Sequence, residues 1–177
     1  KTKELDDKEV AFNLEEAAPV ENFEIFRTEA ESPSVLHYTS GTTGQPKGVK
    51  HVHYSLISQY LTTKWVLDLQ GKDIYWCTAD PAWITGLVYG IIVPFSTGIR
   101  QVQFEGTYRA DRWLSILEQK KVSLWYTAPT ALRMLMQEEI DFDALDLPHL
   151  KKVFSVGEPL NPEIYTWGKR AFKREIY

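Results

Sequence analysis

Short apolar runs alternate with helical patterns along most of this chain, and that alternation restricts the folds open to it. The predicted strands are 34–38, 73–78, 100–104, 123–126 and 152–156, and the predicted helices are 55–69, 85–96, 110–120, 131–138 and 162–172. Most of these strands are nearly continuous apolar runs, as expected when both faces of a sheet are covered. The pattern predicts an α/β fold with a mostly parallel sheet flanked by helices.

Composition separates the first 33 residues from the remainder. Residues 1–33 are acidic and contain no motif, so we expect a loosely structured lead-in with short elements near 10–12 and 23–26. Residues 34–177 are predicted to form the α/β portion. Apolar residues make up 44% of the 177, which is enough to build a core.

Each predicted strand ends in a polar or turn-forming cluster. These clusters are 39–41, 79–81, 105–106, 128–130 and 157–159. The carboxyl ends of parallel strands lie at one edge of a sheet, and ligands bind in the crevice beyond them. We therefore expect the five clusters to converge.

The first cluster opens the most unusual stretch, Tyr38–Gly48, which reads Tyr-Thr-Ser-Gly-Thr-Thr-Gly-Gln-Pro-Lys-Gly. Glycines leave main-chain N–H groups accessible, and the hydroxyls and one ammonium add donors suited to polyphosphate oxygens. Its spacing fits neither the P-loop nor the dinucleotide fingerprint. A buried strand at 34–38 and a helix at 55–69 would flank it, and strand–loop–helix presents amides to phosphate. A mobile surface loop is the alternative.

The order of residues in this stretch closely resembles the phosphate loop of the AMP-forming adenylating enzymes. That group includes the acyl-CoA synthetases, firefly luciferase and the adenylation domains of peptide synthetases. Two further stretches narrow the resemblance to acetyl-CoA synthetases: Ala-Asp-Pro-Ala-Trp-Ile-Thr-Gly at 79–86 and Ser-Val-Gly-Glu-Pro-Leu-Asn-Pro-Glu at 155–163. The stretch 125–131 is similar as well, and we interpret it as mainly structural.

The resemblance implies two cofactor-binding segments and an acyl pocket. The β- and γ-phosphates of ATP would be held by Thr39, Ser40, Gly41, Thr42, Thr43, Gly44, Lys47 and Gly48, with Lys47 acting through its charge. The remaining nucleotide contacts would be Gly157, Glu158 and Pro159, and the acyl group or CoA thiol would meet Trp83, Ile84, Thr85 and Val156. No catalytic residue and no metal site is assigned in this chain. A metal at His51 and His53 is disfavoured, because no third ligand is near in sequence.

The implied reaction joins a carboxylate to CoA with ATP and Mg²⁺, through an acyl-AMP intermediate and with release of pyrophosphate. Acetate is the expected acid. The chain resembles a central piece of the large N-terminal domain, so we expect the smaller C-terminal domain and its adenylation lysine to lie elsewhere, and the 177 residues alone to lack turnover. At 107–109 the sequence departs from the family, so CoA contacts there are not assigned.

Two alternatives stay open: a synthetase for another short- or medium-chain acid, and a nucleotide-binding module without turnover. A nucleic-acid partner is disfavoured by the net charge of -4. The apolar segment 84–95 is too short for a membrane span. The single cysteine, Cys77, excludes a disulfide framework within the chain and is consistent with a cytoplasmic location.

Overall fold

The computed structural model describes residues 24–41 and 44–177. Its strands are β1 Pro33–Thr39, β2 Lys47–Val52, β3 Ile74–Cys77, β4 Arg100–Val102, β5 Leu124–Thr127 and β6 Lys152–Ser155. Its helices are α1 Ser55–Thr62, α2 Ile84–Leu87, α3 Val93–Thr97, α4 Ala110–Gln119, α5 Pro129–Met136 and α6 Pro162–Phe172, with π-helical segments at Thr63–Leu67 and Val88–Ile92. The predicted element at 10–12 lies outside the described residues, and 24–26 belong to no strand or helix.

Four strands form a parallel sheet in the order β4-β3-β5-β6. This confirms the predicted α/β class. The connection after β3 leads to β4 on one side, whereas the connection after β5 leads to β6 on the other. The strand order therefore reverses between β3 and β5, and ligand crevices form at such a point.

Alternate residues of the central strands face two different apolar clusters. Trp76 of β3 and Trp125 of β5 are almost fully buried on one face, where they pack with Trp113 of α4. Tyr75 and Tyr126 are buried on the opposite face. Both faces are covered, as the continuous apolar runs predicted, so these strands are held by packing from two sides.

A buried carboxylate ties the amino ends of the sheet strands together. Asp73 accepts hydrogen bonds from the Ser123 hydroxyl and the Lys151 ammonium, each at 2.8 Å, and from the Gln70 amide at 2.9 Å. Burial raises the pKa of the Asp73 carboxyl, but these three donors outweigh burial, so the pKa lies below its ordinary value.

The first predicted strand is not part of the parallel sheet, so that expectation is wrong. β1 pairs with β2 as a separate antiparallel hairpin, in which Thr39 lies opposite Lys47. The strand is also not buried, since Leu36 and Tyr38 are 59% and 63% exposed. The residues after the loop read Lys-Gly-Val-Lys-His-Val, and this second extended segment folds back on the first.

The predicted strand–loop–helix arrangement is wrong for the same reason, because β2 stands between the glycine loop and α1. The other helices agree more closely with expectation. α6 begins and ends as predicted, and the Asn161 side chain caps it by accepting a hydrogen bond from the Glu163 amide. The predicted helix 85–96 instead consists of α2, the π-helical segment Val88–Ile92 and α3.

Candidate functional site

An open cleft of about 490 Å³ lies at the carboxyl ends of β3, β5 and β6. Its lining residues come from the three loops that follow these strands and from the start of α2: Thr78, Ala79, Asp80, Trp83, Thr85, Ala128, Val156, Gly157 and Glu158. The cleft is thus at the edge where the strand order reverses. Three of the five polar clusters expected to converge do so here.

The turn after β3 is compact and supports one wall of the cleft. A carboxylate oxygen of Asp80 accepts a hydrogen bond from the Ala82 amide at 2.7 Å, and the Asp80 carbonyl accepts one from the Trp83 amide at 2.9 Å. The turn also contacts α2 so closely that a Cβ on Gly86 would lie 2.1 Å from the Asp80 carbonyl oxygen. Trp83 leaves this turn with 70% of its surface exposed and lines the cleft.

The opposite wall follows β6. The Val156 amide donates to the Thr127 carbonyl at 2.9 Å, which is the last ladder contact before the chain leaves the sheet. Gly157 then has φ +88°, a left-handed conformation that favours glycine. The Glu158 carboxylate accepts a hydrogen bond from the Thr130 hydroxyl, with 2.7 and 2.8 Å to its two oxygens.

The structure brings together most, but not all, of the predicted acyl and nucleotide residues. Trp83, Thr85, Val156, Gly157 and Glu158 line the cleft. Two neighbours, Ile84 and Pro159, adjoin lining residues in sequence without lining the cleft themselves. Lining residues missed by the sequence assignments are Thr78, Ala79, Asp80 and Ala128, although strand-end position alone marked the last three.

The cluster at 105–106 belongs to a neighbouring cavity instead. This cavity of about 180 Å³ lies between the ends of β3 and β4 and is lined by Trp76, Cys77, Thr78, Ala79, Asp80, Pro81, Gln103, Phe104, Gly106 and Trp113. It shares the turn residues 78–80 with the cleft. That turn therefore contributes to both concavities.

The glycine loop forms the end of the β1–β2 hairpin, and its described residues do not line the cleft. Gly44 has φ +81°, and its amide donates to the Gly41 carbonyl at 3.3 Å. A Cβ on Gly41 would lie 2.5 Å from the Gln45 carbonyl oxygen, so this turn has no room for a side chain there. Lys47 is exposed at the start of β2. Of the predicted phosphate contacts, Thr42 and Thr43 lie outside the described residues.

The titratable groups behind the cleft are unsuited to nucleophilic chemistry. Burial raises the pKa of the Cys77 thiol, and it also raises the pKa of the Tyr126 phenol. Both groups therefore stay protonated at neutral pH. The arrangement can bind and orient a ligand, and it offers no activated nucleophile among these buried groups.

Within residues 24–41 and 44–177, no three His, Cys, Asp or Glu side chains are grouped so that they could ligate a metal ion. In the same residues, no helix combines the length and the apolar character needed to cross a membrane.

Over most of its length this chain is similar to AMP-binding enzymes and to acetyl-coenzyme A synthetases. The profile of the family described as AMP-binding enzyme matches residues 1–177. The acetyl-coenzyme A synthetase of Bacillus subtilis is 49% identical over 168 residues, which are 93% of this chain and 29% of that protein. The acetyl-coenzyme A synthetase of Pyrobaculum aerophilum is 43% identical over 152 residues, covering 83% and 23% respectively. The chain thus spans less than a third of these relatives.

Solved structures with the same fold include two ligases. An acyl-CoA synthetase from Brucella canis superposes with a TM-score of 0.81 at 29% identity, covering 88% of this chain and 28% of that one. An anthranilate CoA ligase, solved in complex with anthranoyl-AMP, gives a TM-score of 0.79 at 30% identity and covers 88% and 30%.

Proposed function

Because this chain belongs to the family of AMP-binding enzymes, we propose that the full-length protein carrying it is an AMP-forming acetyl-CoA synthetase. A carboxylate oxygen of acetate attacks the α-phosphorus of ATP, and pyrophosphate leaves to give acetyl-AMP. The sulfur of CoA then attacks the acyl carbon, and AMP leaves with the electron pair of the broken C–O bond. The location proposed for this protein is the cytoplasm.

The observation that carries the proposal is the cleft between the loops after β3 and β6. Segments matching two separate motifs of acetyl-CoA synthetases, 79–86 and 155–163, approach from sites about 75 residues apart in the chain and form its two walls. The 49% identity to the B. subtilis acetyl-coenzyme A synthetase supports acetate as the acid.

We assign the two walls to different parts of the substrates. Trp83, Ile84, Thr85 and Val156 would bind the acyl group, since apolar contacts dominate the binding of a short acyl chain. The segment Gly157–Pro159 would border the nucleotide base. Its left-handed glycine suits this role, because it carries no side chain that would hold a flat ring away.

The hairpin loop would bind the β- and γ-phosphates. Main-chain amides near Gly41 and Gly44, the hydroxyls of Thr39 and Ser40, and the ammonium of Lys47 supply the donors, and Thr42, Thr43 and Gly48 belong to the same stretch. These groups would neutralise charge on the leaving pyrophosphate, which is the main requirement of such a transfer. Mg²⁺ would enter as the complex with ATP.

The test is acetate-dependent exchange of labelled pyrophosphate into ATP by the full-length protein, followed by acetyl-CoA formation when CoA is added. Propionate and butyrate are run alongside acetate. Exchange that is faster with acetate than with the longer acids supports the proposal. Faster exchange with a longer acid would show that this acid, and not acetate, is the substrate. No exchange with any carboxylate would overturn the synthetase assignment.

The phosphate loop is tested separately by Gly44→Val, which places a branched side chain at a left-handed residue. Gly98→Val is the matched control, since Gly98 has φ +67° at the end of α3 and, like Gly44, nothing within 4 Å of its added Cβ. We expect only the Gly44 variant to raise the KM for ATP. Equal effects of the two variants on KM would contradict the loop assignment.

A further inference from the structure

We propose that Thr130 is a positioning residue for the nucleotide, acting through Glu158 on the segment Gly157–Pro159. The inference rests on the proposed function, because that function places the nucleotide against this segment. Thr130 itself lies in a stretch that sequence reasoning interpreted as structural. The geometry assigns it a more specific role.

The contact joins the first turn of α5 to the loop after β6, and these segments are distant in sequence. The Thr130 hydroxyl donates to the Glu158 carboxylate, 28 residues away, with 2.7 and 2.8 Å to its oxygens. Thr130 is in the first turn of α5, directly after Pro129. A carboxylate at the amino end of a helix is also favoured by the helix dipole, so the dipole stabilises the contact in addition to the single hydrogen bond from the hydroxyl.

The nucleotide segment has few other constraints. It lies between the last ladder contact, made by the Val156 amide, and the cap of α6 at Asn161. Among the described residues, the bond to Thr130 is the only side-chain hydrogen bond made by 157–159. Gly157 adds conformational freedom at the point where the chain leaves the sheet. The orientation of the segment therefore depends on Thr130.

The experiment compares Thr130→Val with Thr130→Ser in the full-length protein. Valine has the shape of threonine without the donor, whereas serine keeps the hydroxyl. We expect Thr130→Val to raise the KM for ATP by about 3- to 10-fold, the loss expected for one ordinary hydrogen bond, because the contact is exposed and Thr130 acts on the nucleotide only indirectly. The KM for acetate should stay near the wild-type value, and Thr130→Ser should restore the KM for ATP.

Thr166→Val is the control for a general effect of the substitution. Thr166 is also exposed, and its hydroxyl donates within its own helix, to the Pro162 carbonyl. A rise in the KM for ATP that is equal in Thr130→Val and Thr166→Val, or a rise shared by acetate, would indicate a structural effect and overturn the inference.

A double substitution tests whether Thr130 acts through Glu158. Glu158→Ala removes the carboxylate, so adding Thr130→Val to it should change the KM for ATP no further. Additive effects of the two substitutions would show that Thr130 acts independently, and they would overturn the proposed route.

The two proposals fail in distinguishable ways. Pyrophosphate exchange by the wild type, with unchanged ATP parameters in Thr130→Val, would reject the role of Thr130 alone. Binding of ATP without turnover of any carboxylate would reject the synthetase, and the calorimetric Kd for ATP then replaces KM as the readout for Thr130→Val. Failure of the wild type to bind ATP would overturn both.

Discussion

A Cβ atom on Gly86 would lie 2.1 Å from the carbonyl oxygen of Asp80, so α2 packs directly on the turn that follows β3. This contact holds the backbone that carries Trp83 against the end of the sheet. The acyl wall of the proposed site thus depends on the absence of one side chain.

Gly86→Ala should displace the turn and α2 from each other. Overpacking of this kind costs about 1–3 kcal/mol, and here the displaced backbone carries Trp83 and Thr85. We expect a raised KM for acetate and a lower unfolding midpoint. Gly71→Ala is the control, since its added Cβ meets nothing within 4 Å; a similar loss in both variants would contradict the role of the contact.

Lys47→Met should impair the use of ATP because it removes the cation expected at the phosphates. A hydrogen bond to a charged group contributes about 1.5–3 kcal/mol, so kcat/KM for ATP should fall by about 10-fold or more. Lys50→Met is the matched control, because Lys50 is an exposed lysine on the same strand, β2. If the two variants lost activity equally, the effect would be one of net charge and the assignment of Lys47 would be wrong.

Gly157→Ala should weaken nucleotide binding without creating a clash. The added Cβ has nothing within 4 Å, but φ +88° costs about 1–2 kcal/mol for a residue with a side chain. We expect the segment to relax and the KM for ATP to rise. Gly98→Ala imposes the same kind of strain away from the cleft. Gly98→Ala should lower the unfolding midpoint and leave the KM for ATP unchanged. A KM for ATP that rises in Gly98→Ala but not in Gly157→Ala would contradict the assignment of Gly157–Pro159 to the nucleotide.

Asp73→Asn should lower stability in a manner that depends on pH. The folded-state pKa of Asp73 is depressed, so its stabilisation is fully present above the ordinary value of about 3.9 and is lost as pH falls through the folded-state pKa. The variant should therefore unfold at a lower temperature than the wild type at pH 7, and the difference should shrink below about pH 4.

Thermal unfolding of both proteins across pH 3–7 measures this effect. Asp146→Asn is the control, since Asp146 is exposed. A constant difference between the wild type and Asp73→Asn over the whole range would show that the charge of Asp73 is not the source of its contribution.

Local signals allowed much of the fold to be predicted from the sequence. The parallel strands β3, β5 and β6 lie within a residue or two of their predicted positions, because each is a short apolar run bounded by turn residues. α6 was predicted to the residue, since Asn161 and Pro162 form a recognisable helix start. The hairpin was not predicted, because β1 alone contains no signal for whether it pairs with β2 or with the sheet.

The candidate site was likewise predicted only in part from the sequence. The strand-end rule predicted that the segments around Trp83 and Gly157 meet at one edge of the sheet, and both residues line the cleft. These arguments could not predict the hydrogen bond from Thr130 to Glu158, because it joins an exposed side chain in the first turn of α5 to one in the loop after β6.

The sequence by itself determined where the sheet strands and their terminal loops lie, since apolar periodicity, caps and turn residues act over a few neighbouring positions. Only the tertiary structure decided that β1 joins an antiparallel hairpin, that Gly86 lies against Asp80, and that Lys151 reaches Asp73 across 78 residues. These relationships depend on which distant segments meet when both faces of the sheet are buried, and local sequence patterns do not predict which segments those are.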